Sequence, residues 1–388
     1  MDVSAYVHFP WCLQKCPYCD FASGAIRRDE VAHRQYADAV LAELASRAAG
    51  LSEHRLVSVF FGGGTPSLWA PAELGRVLSG VRGAFAARAP GDDDPEVTVE
   101  CNPSSLDQRH AAALREVGVG RLSIGVQSLD DERLRFLGRL HSADGALTAL
   151  RDALAEMPRV SGDLMFGMPG QTAGDFTGEA RRLLEMGLQH ISAYALTIEP
   201  DTQFGQLHRK GRLKLATEGD FANTFEATHA LMAEAGLEHY EVSNYAAAGE
   251  GSLHNLHYWR GGSYLGLGAG AVGMLHDGAT GGRRYRNQPK PQDYLAAPQA
   301  RSAEVFDETL GAGDLVNEAL MLGLRTAEGV DVGALHSRTG VALLDDRRAD
   351  IDAQRALGNL ALDGDRLHVP HDRWLHLDSI VATLFARQ

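Results

Sequence analysis

The sequence has few cysteines and no apolar run long enough to cross a membrane. Its 388 residues include four cysteines, too few for the disulfide framework of a secreted protein of this length. Every apolar run falls short of the roughly 20 residues that span a bilayer, and the first residues lack the basic and apolar regions of a secretion signal. These absences predict a protein of the reducing cytoplasm.

Basic residues are also scarce. The chain has 37 Lys and Arg residues against 51 Asp and Glu residues, a formal net charge of −14. An acidic chain repels the phosphate backbone, so we expect no nucleic-acid partner. Hydrophobic residues make up 44% of the sequence, which is enough to build one large domain and one or two smaller ones.

Residues 1–236 alternate between short apolar runs and longer runs rich in Ala and Leu. Six predicted strands are each followed by a predicted helix, and Ser104 or Ser105 is the expected cap of the third helix. This alternation indicates parallel strands joined by right-handed crossovers. Six units are fewer than the eight of a complete barrel, so we predict an α/β fold with a partial (β/α)6 barrel. A flat doubly wound sheet is the alternative.

The pattern changes after residue 236. Residues 237–305 form a predicted mixed connecting region, in which "HNLHYW" at residues 254–259 is expected to be a strand or loop packed on the barrel mouth. Residues 306–388 are predicted to be mainly helical with a hairpin at Asp363-Gly364, which indicates a small winged-helix-like C-terminal domain. Residues 87–97, "ARAPGDDDPEV", are expected to form an exposed loop.

Three of the four cysteines lie together in "CLQKCPYC", where Cys12, Cys16 and Cys19 have the spacing Cys-x3-Cys-x2-Cys. Zinc sites usually have four ligands in two pairs, and this chain offers no second pair, although His8 is a conceivable fourth ligand. Thiolates are the ligands of iron–sulfur clusters. Three of them would hold three irons of a 4Fe-4S cluster and leave the fourth iron open. We interpret the remaining cysteine, Cys101, as a small buried hydrophobe.

The cysteine stretch resembles that of the radical S-adenosylmethionine (SAM) superfamily. The resemblance implies that SAM chelates the open iron and is cleaved reductively to a 5′-deoxyadenosyl radical. "FFGGGTPS" resembles the glycine motif that takes the SAM amino group, which here comprises Gly62, Gly63 and Gly64. Glycines allow a ligand to approach the backbone closely. A bare turn is the alternative interpretation of the three glycines.

Further motifs resemble the coproporphyrinogen-oxidase-like branch of this superfamily. They are "VECNPSS", "IGVQS", "LGRLHS" and "GDLMFGMPGQT". The resemblance implies that Glu100, Gln127, Arg139 and Asp163 bind the ribose and the carboxylate of SAM. Carboxylates suit paired hydroxyls, and an Arg fork suits a carboxylate. The other residues that the resemblance assigns to the SAM site are Tyr6, Tyr18, Phe21 and Thr65.

This branch contains a porphyrinogen oxidase and the haem chaperones of the HemW group. The oxidase pattern continues to a fourth cysteine, where this chain has Phe21. The oxidase also has an N-terminal extension, and the early start of the first predicted strand leads us to expect none here. "HNLHYW" matches the His-Asn-x-x-Tyr-Trp motif of the chaperone group, which favours a haem chaperone.

The chaperone motif implies that His254 is an axial ligand of haem b. Imidazole is a common haem ligand, and Asn255 could orient it while Tyr258 and Trp259 offer flat apolar faces to the macrocycle. His257 is a second candidate ligand. A histidine with all its hydrogen bonds satisfied, among packed aromatic residues, is the alternative interpretation.

The resemblance implies transient delivery of haem to membrane respiratory haemoproteins, with a homodimer as a further option. It is compatible with a peripheral position at the inner face of the membrane. The main alternative function is oxygen-independent coproporphyrinogen III oxidase or another radical SAM reaction, such as methylation or cyclopropanation. A tRNA-modifying radical SAM enzyme is a third option, which the acidic charge disfavours.

Overall fold

The computed structural model describes residues 1–86, 93–278, 280–297 and 303–385, and one large mixed sheet lies at its centre. Because the predicted exposed loop at 87–97 begins with residues 87–92, most of it lies outside the described residues. The strands of the large sheet are β1 Asp2–Phe9, β2 Arg55–Gly63, β3 Glu96–Cys101, β4 Arg121–Gln127, β5 Arg159–Phe166, β6 His190–Ala195, β7 Glu238–Glu241, β8 Asn244–Ala246, β9 Ser263–Leu267, β10 Val272–His276, β11 Gly282–Asn287 and β12 Glu304–Leu310.

Strands β1 to β6 are parallel neighbours in chain order. Both faces of these strands are largely buried, as with Val59 and Phe60 of β2, because helices cover the outside of a parallel sheet. A doubly wound sheet reverses its strand order at a switch point, and this sheet does not do so between β1 and β6. The predicted α/β fold with six barrel units is therefore confirmed.

Helices follow the strands of the barrel and continue into the C-terminal part. They are α1 His33–Arg47, α2 Pro71–Ala84, α3 Gln108–Glu116, α4 Asp131–Phe136, α5 Ala143–Glu156, α6 Ala173–Glu185, α7 Gln203–Arg209, α8 Glu218–Glu234, α9 Leu253–Trp259, α10 Pro291–Ala296, α11 Ala312–Gly323, α12 Val332–Thr339, α13 Leu343–Asp346, α14 Arg348–Ala356 and α15 Leu377–Leu384. No helix in the described ranges is long and apolar enough to cross a membrane.

The cap predicted for α3 is wrong. The side chain of Asp107 accepts the backbone N–H of His110, so the helix begins two residues later than Ser105 would allow. Ser105 instead lies in a short 3-10 turn, Pro103–Ser105, where its hydroxyl bonds to Ser67 at 2.6 Å. Proline at the first position of that turn favours this separate local structure over an extension of α3.

The connecting region extends the barrel sheet at both edges. Strand β9 pairs in parallel with β1, and β10, β11 and β12 follow it with antiparallel pairing. The hairpin of β7 and β8 covers the other edge next to β6. The domain boundary predicted at residue 305 falls inside β12.

The prediction of a strand or loop for "HNLHYW" is wrong. These residues lie in α9, which begins after Ser252, whose hydroxyl accepts the backbone N–H of Asn255. The helix packs against β2 and α11 rather than on the barrel mouth. Seven residues make only two turns, so the helical periodicity was too short to recognise in the sequence.

The C-terminal part combines helices α11–α15 with a small sheet. Its strands are β13 Val330–Asp331, β14 Ala361–Asp363 and β15 Arg366–His368. Strands β14 and β15 form the antiparallel hairpin expected at Asp363-Gly364, and Gly364 has the positive φ of 60° that this tight turn needs. Helices with one short hairpin form a small C-terminal domain of the expected kind.

Candidate functional site

The loop that carries the three cysteines lies at the carboxyl end of β1. Cys12, Cys16 and Cys19 are all half-buried free thiols. The loop is closed by Lys15, whose ammonium group donates to the backbone oxygens of Phe21 at 3.0 Å and Ser23 at 3.1 Å. These contacts hold the three thiols on one turn of chain at the barrel mouth.

The thiols need cationic neighbours if they are to ionise. Burial raises the pKa of Cys12 and Cys19 above its ordinary value. Arg139 donates to the sulfur of Cys16 at 3.7 Å and to the carbonyl of Gly125 at 2.8 Å. Its Nε is buried without a hydrogen-bond partner. The guanidinium is therefore fixed beside the cysteines, and its Nε–H remains available to a ligand.

The glycine motif ends β2 directly beneath this loop. A Cβ atom on Gly63 would lie 2.4 Å from the imidazole of His8, and one on Gly64 would lie 2.5 Å from the carbonyl oxygen of Trp11. Gly63 also has a φ of 108°. A bare turn does not require such close approaches on two sides. The glycines are needed here because the cysteine loop and β1 press against them.

Two half-buried carboxylates lie near the glycines inside the barrel. Glu100 accepts the backbone N–H of Gly63 at 3.0 Å, and burial raises its pKa to about 8. Asp163 accepts hydrogen bonds from three serine hydroxyls, and burial raises its pKa as well. These serines are Ser123, Ser161 and Ser192. Glu100 accepts the Gly63 N–H through Oε2, whereas both oxygens of Asp163 accept hydrogen bonds from serines.

Gln127 ends β4 in an unusual backbone conformation. Its φ of 66° is the one positive value found for a non-glycine among the described residues. The left-handed region costs a residue such as glutamine of order 1–3 kcal/mol, a cost often found at binding sites. Its side-chain oxygen accepts the hydroxyl of Tyr194 at 3.2 Å. The strained turn directs this amide into the barrel.

The remaining predicted residues surround the same mouth. Thr65 is buried with its hydroxyl next to the thiol of Cys12. The Tyr6 hydroxyl lies 3.0 Å from Nδ1 of His8, and Tyr18 packs on Phe204. Phe21, at the position of the oxidase's fourth cysteine, is 55% exposed.

A small concavity opens beside these groups. Its wall includes Cys16, Thr65 and Arg139, together with two residues that the sequence interpretation missed. These are Asn102 and Ser104, which follow β3, and Asn102 also caps the next turn by accepting the N–H of Ser104. Their position directly after a barrel strand, inside "VECNPSS", was the available signal.

His254 lies in a different place, at the closed end of the barrel. Its Nδ1 is 2.9 Å from the hydroxyl of Ser58, and its backbone N–H donates to Glu96 at 3.1 Å. The ring stacks on Phe60 with centroids 4.9 Å apart, and burial lowers its pKa to about 3. Glu96 begins β3, so His254 sits at the amino ends of the strands while the cysteines sit at the carboxyl ends.

A partial α/β barrel with three thiols at its mouth defines the class of this protein, and comparison with known families identifies the same class. Residues 6–183 match the profile "Radical SAM superfamily", and residues 312–372 match "HemN C-terminal domain". The first match lies on the barrel, and the second lies on the small C-terminal domain.

Curated relatives narrow the family. "Heme chaperone HemW" of Escherichia coli is 40% identical over 275 residues, 70% of each chain. "Heme chaperone HemW" of Mycobacterium tuberculosis is 35% identical over 382 residues, 98% of this chain and 94% of that protein. A bovine protein, "Radical S-adenosyl methionine domain-containing protein 1, mitochondrial", is 38% identical over 85% of this chain and 74% of its own length. The chain belongs to the HemW family of radical SAM proteins.

The fold is also similar to that of a solved structure. The coproporphyrinogen III oxidase HemN of Escherichia coli, described as a radical SAM enzyme, aligns with a TM-score of 0.81 over 99% of this chain and 90% of that chain. The two sequences are 20% identical, so the likeness establishes the architecture alone.

The family implies a 4Fe-4S cluster and SAM, and the residues at the mouth fit both. Three thiols on one loop are the donors that such a cluster takes from a protein. The buried, unpartnered Nε of Arg139 and the free side of Glu100 suit a ligand that carries both a carboxylate and hydroxyls. The chemistry of the donor set is therefore consistent with the family.

Proposed function

We propose that this protein is a haem chaperone that binds haem b and carries a SAM-coordinated 4Fe-4S cluster. The observation that carries the proposal is its likeness to proteins named "Heme chaperone HemW", which extends over nearly the full length of the mycobacterial relative. The cluster would be held by Cys12, Cys16 and Cys19. In radical SAM proteins, the bound cluster and SAM together supply one-electron chemistry.

The chain's own residues position these groups. Arg139 would hold the carboxylate of SAM through its free Nε, and Glu100 would accept from the ribose hydroxyls. Gln127 would direct its amide towards the same ligand. The backbone of Gly62, Gly63 and Gly64 would take the amino group.

His254 is the proposed haem ligand. The Ser58 hydroxyl is 2.9 Å from its Nδ1, which leaves Nε2 for the metal, and hydrogen bonding at one ring nitrogen orients the other. The ring is buried under α9, so haem binding at this position requires that α9 move away from β2. We therefore expect haem binding to be slow compared with diffusion.

Haem titration of the cluster-reconstituted protein tests this ligand. The wild-type protein should shift the Soret band of added haem, and His254→Ala should weaken binding by at least about tenfold because an axial bond is lost. His257→Ala tests the second candidate, whose Nε2 donates to the carbonyl of Ser263 at 2.9 Å. His336→Ala, an exposed histidine on α12, is the matched control.

The outcomes separate the ligand from the function. If His254→Ala binds haem like the parent, the assigned ligand is wrong although haem binding stands. If the wild-type protein gives no Soret shift at all, the chaperone proposal fails.

The alternative function is oxygen-independent coproporphyrinogen oxidation, which the shared architecture with HemN and the SAM-type mouth favour. Anaerobic incubation with reductant, SAM and coproporphyrinogen III decides between the two. We expect no protoporphyrinogen. Formation of this product in step with 5′-deoxyadenosine would overturn the chaperone proposal.

We further propose that the chaperone works in the cytoplasm and touches its acceptors, membrane respiratory haemoproteins, only transiently at the inner face of the membrane. Self-association to a homodimer is part of the same proposal. Sedimentation of the haem-loaded and haem-free protein tests it, and a single monomeric species in both states would contradict the homodimer.

A further inference from the structure

Three histidines meet far from the cysteine loop, where the barrel joins the C-terminal domain. His229 lies on α8, His239 lies on β7, and His371 begins the 3-10 helix His371–His376. One ring nitrogen from each lies within 4.8 Å of the others, the one such group in the described part of the chain. The proposed function uses none of them.

His239 is fixed in the tautomer that a metal ligand needs. Its Nε2 is 3.1 Å from the carbonyl oxygen of Val242, and a carbonyl only accepts, so this nitrogen carries the proton. The lone pair is therefore on Nδ1, which faces Nε2 of His371 at 2.6 Å. Tyr245 stacks on the ring with centroids 3.9 Å apart and holds its plane. A backbone carbonyl on the second nitrogen is the usual support of a ligating histidine.

The other two histidines are half-exposed and stack on each other, with ring centroids 3.7 Å apart. Nδ1 of His229 is buried and has no hydrogen-bond partner. A buried polar atom without a partner costs free energy that a bound cation would recover. The two rings have to tilt apart to share one ion, and their half-exposed positions leave room on the solvent side.

Burial favours the neutral form of the three rings. Burial lowers the pKa of His239 to about 3 and that of His371 to about 4, and it lowers the pKa of His229 too. Neutral imidazole is the form that binds a metal. In the metal-free protein Nε2–H of His371 donates to Nδ1 of His239, and a bound divalent cation would replace that proton and be shared by the ring nitrogens.

We propose that His229, His239 and His371 bind a divalent transition-metal ion of the zinc type and thereby fasten the C-terminal domain to the barrel. Three imidazoles suit zinc and its neighbours, with zinc–nitrogen bonds of about 2.0–2.1 Å. Tetrahedral bonds of that length separate the ligand nitrogens by about 3.3 Å, so the contact between His239 and His371 widens slightly on binding. A fourth position stays open towards solvent.

Zinc titration of the full-length, cluster-reconstituted protein tests the site, because iron and sulfide then occupy the cysteines. We expect one equivalent of Zn²⁺ in calorimetry and a rise in Tm with added Zn²⁺. His371→Gln and, separately, His229→Gln should weaken zinc binding at least about tenfold and abolish the rise. His376→Gln, an exposed change in the same 3-10 helix, is the matched control and should behave like the parent.

Iron content and circular dichroism verify that each variant is folded and loaded. Zinc uptake that is equal in His371→Gln, His229→Gln and the parent would overturn the proposal. So would uptake that occurs only when the cluster is missing, because the cysteines would then be the ligands. A parent protein that takes up no zinc beyond its cluster has the same consequence.

Discussion

The two ends of the barrel treat polar groups in opposite ways. At the mouth, three thiols are half-exposed and the Nε of Arg139 has no partner. At the closed end, the Ser58 hydroxyl forms hydrogen bonds with Ser4 and with the His254 ring. Glu96 accepts hydrogen bonds from the backbone N–H of His254 and from the guanidinium of Arg159. Most buried polar groups in folded proteins are paired. The mouth therefore presents groups that a ligand can complete directly, whereas a ligand that binds His254 at the closed end first has to displace α9.

Removal of the thiols at the mouth is expected to have the largest effect. Single replacements of Cys12, Cys16 or Cys19 by Ala should abolish the 4Fe-4S cluster, because a cluster with two protein ligands is not retained. Iron and sulfide analysis after anaerobic reconstitution measures the effect. Cys101→Ala, a buried thiol on β3, should keep the full iron content. A cysteine variant that retains its cluster would contradict our assignment.

The next largest effect is expected at the closed end. Glu96→Ala should lower the free energy of unfolding by about 2 kcal/mol, because the buried N–H of His254 loses its acceptor and the guanidinium of Arg159 loses one of its two carboxylate partners. Glu250 also pairs with Arg159, at 2.8 Å, but it is more exposed. Glu250→Ala should therefore cost about 1 kcal/mol or less. Denaturant unfolding compares the stability of the two variants. Equal losses of stability would contradict the role of Glu96 as a buried acceptor at the closed end.

The pH dependence of stability tests the contribution of Glu100, the carboxylate at the mouth. Burial raises the pKa of Glu100 from 4.5 to about 8, so the folded state holds its proton more tightly than the unfolded state. Stability from this group is therefore present at low pH and is lost as the pH rises towards 8. Glu100→Gln should remove that loss and become more stable relative to the parent between pH 5 and 8. Glu116→Gln, an exposed change on α3, is the control.

The smallest effect concerns the strained turn at the mouth. Gln127→Gly should be more stable than Gln127→Ala by about 1 kcal/mol, because both variants lose the hydrogen bond to Tyr194 and glycine alone accepts a φ of 66° without strain. Gln127→Gly should also weaken SAM binding several-fold by removing the amide. Gln127→Asn keeps an amide in a residue that tolerates the same region. If the glycine and alanine variants are equally stable in denaturant unfolding, the strain is not located at this turn.

Much of the fold followed from local pattern. The alternation of apolar runs with Ala- and Leu-rich runs predicted the six strand–helix units, and helices such as α2, which has Pro71 at its first position, follow these strands. The short helix α9 was missed because Ser252 caps only two turns, and the cap of α3 was missed because Pro103 starts a separate turn. Local signals of this length compete with each other, and tertiary packing decides among them.

The candidate site divides in the same way. Cys12, Cys16 and Cys19 were evident because their ligand spacing lies within eight residues. Asn102 was missed although it lies in a motif, since no spacing rule marks a residue that only lines a cavity wall. The position of His254 at the closed end was also not predictable. Its neighbours Ser58 and Glu96 are separated from it by more than 150 residues in the chain.

Residue spacing and periodicity were sufficient to predict the class of the protein, its three-thiol loop and the six strand–helix units, because both are local properties of a chain. The end of the barrel that each polar group occupies became evident from the folded chain alone. In the folded chain, "HNLHYW" lies in helix α9 at the closed end of the barrel. His229, His239 and His371 come together from distant segments of the sequence. The physical reason is that burial and hydrogen-bond pairing depend on contacts between residues far apart in the chain.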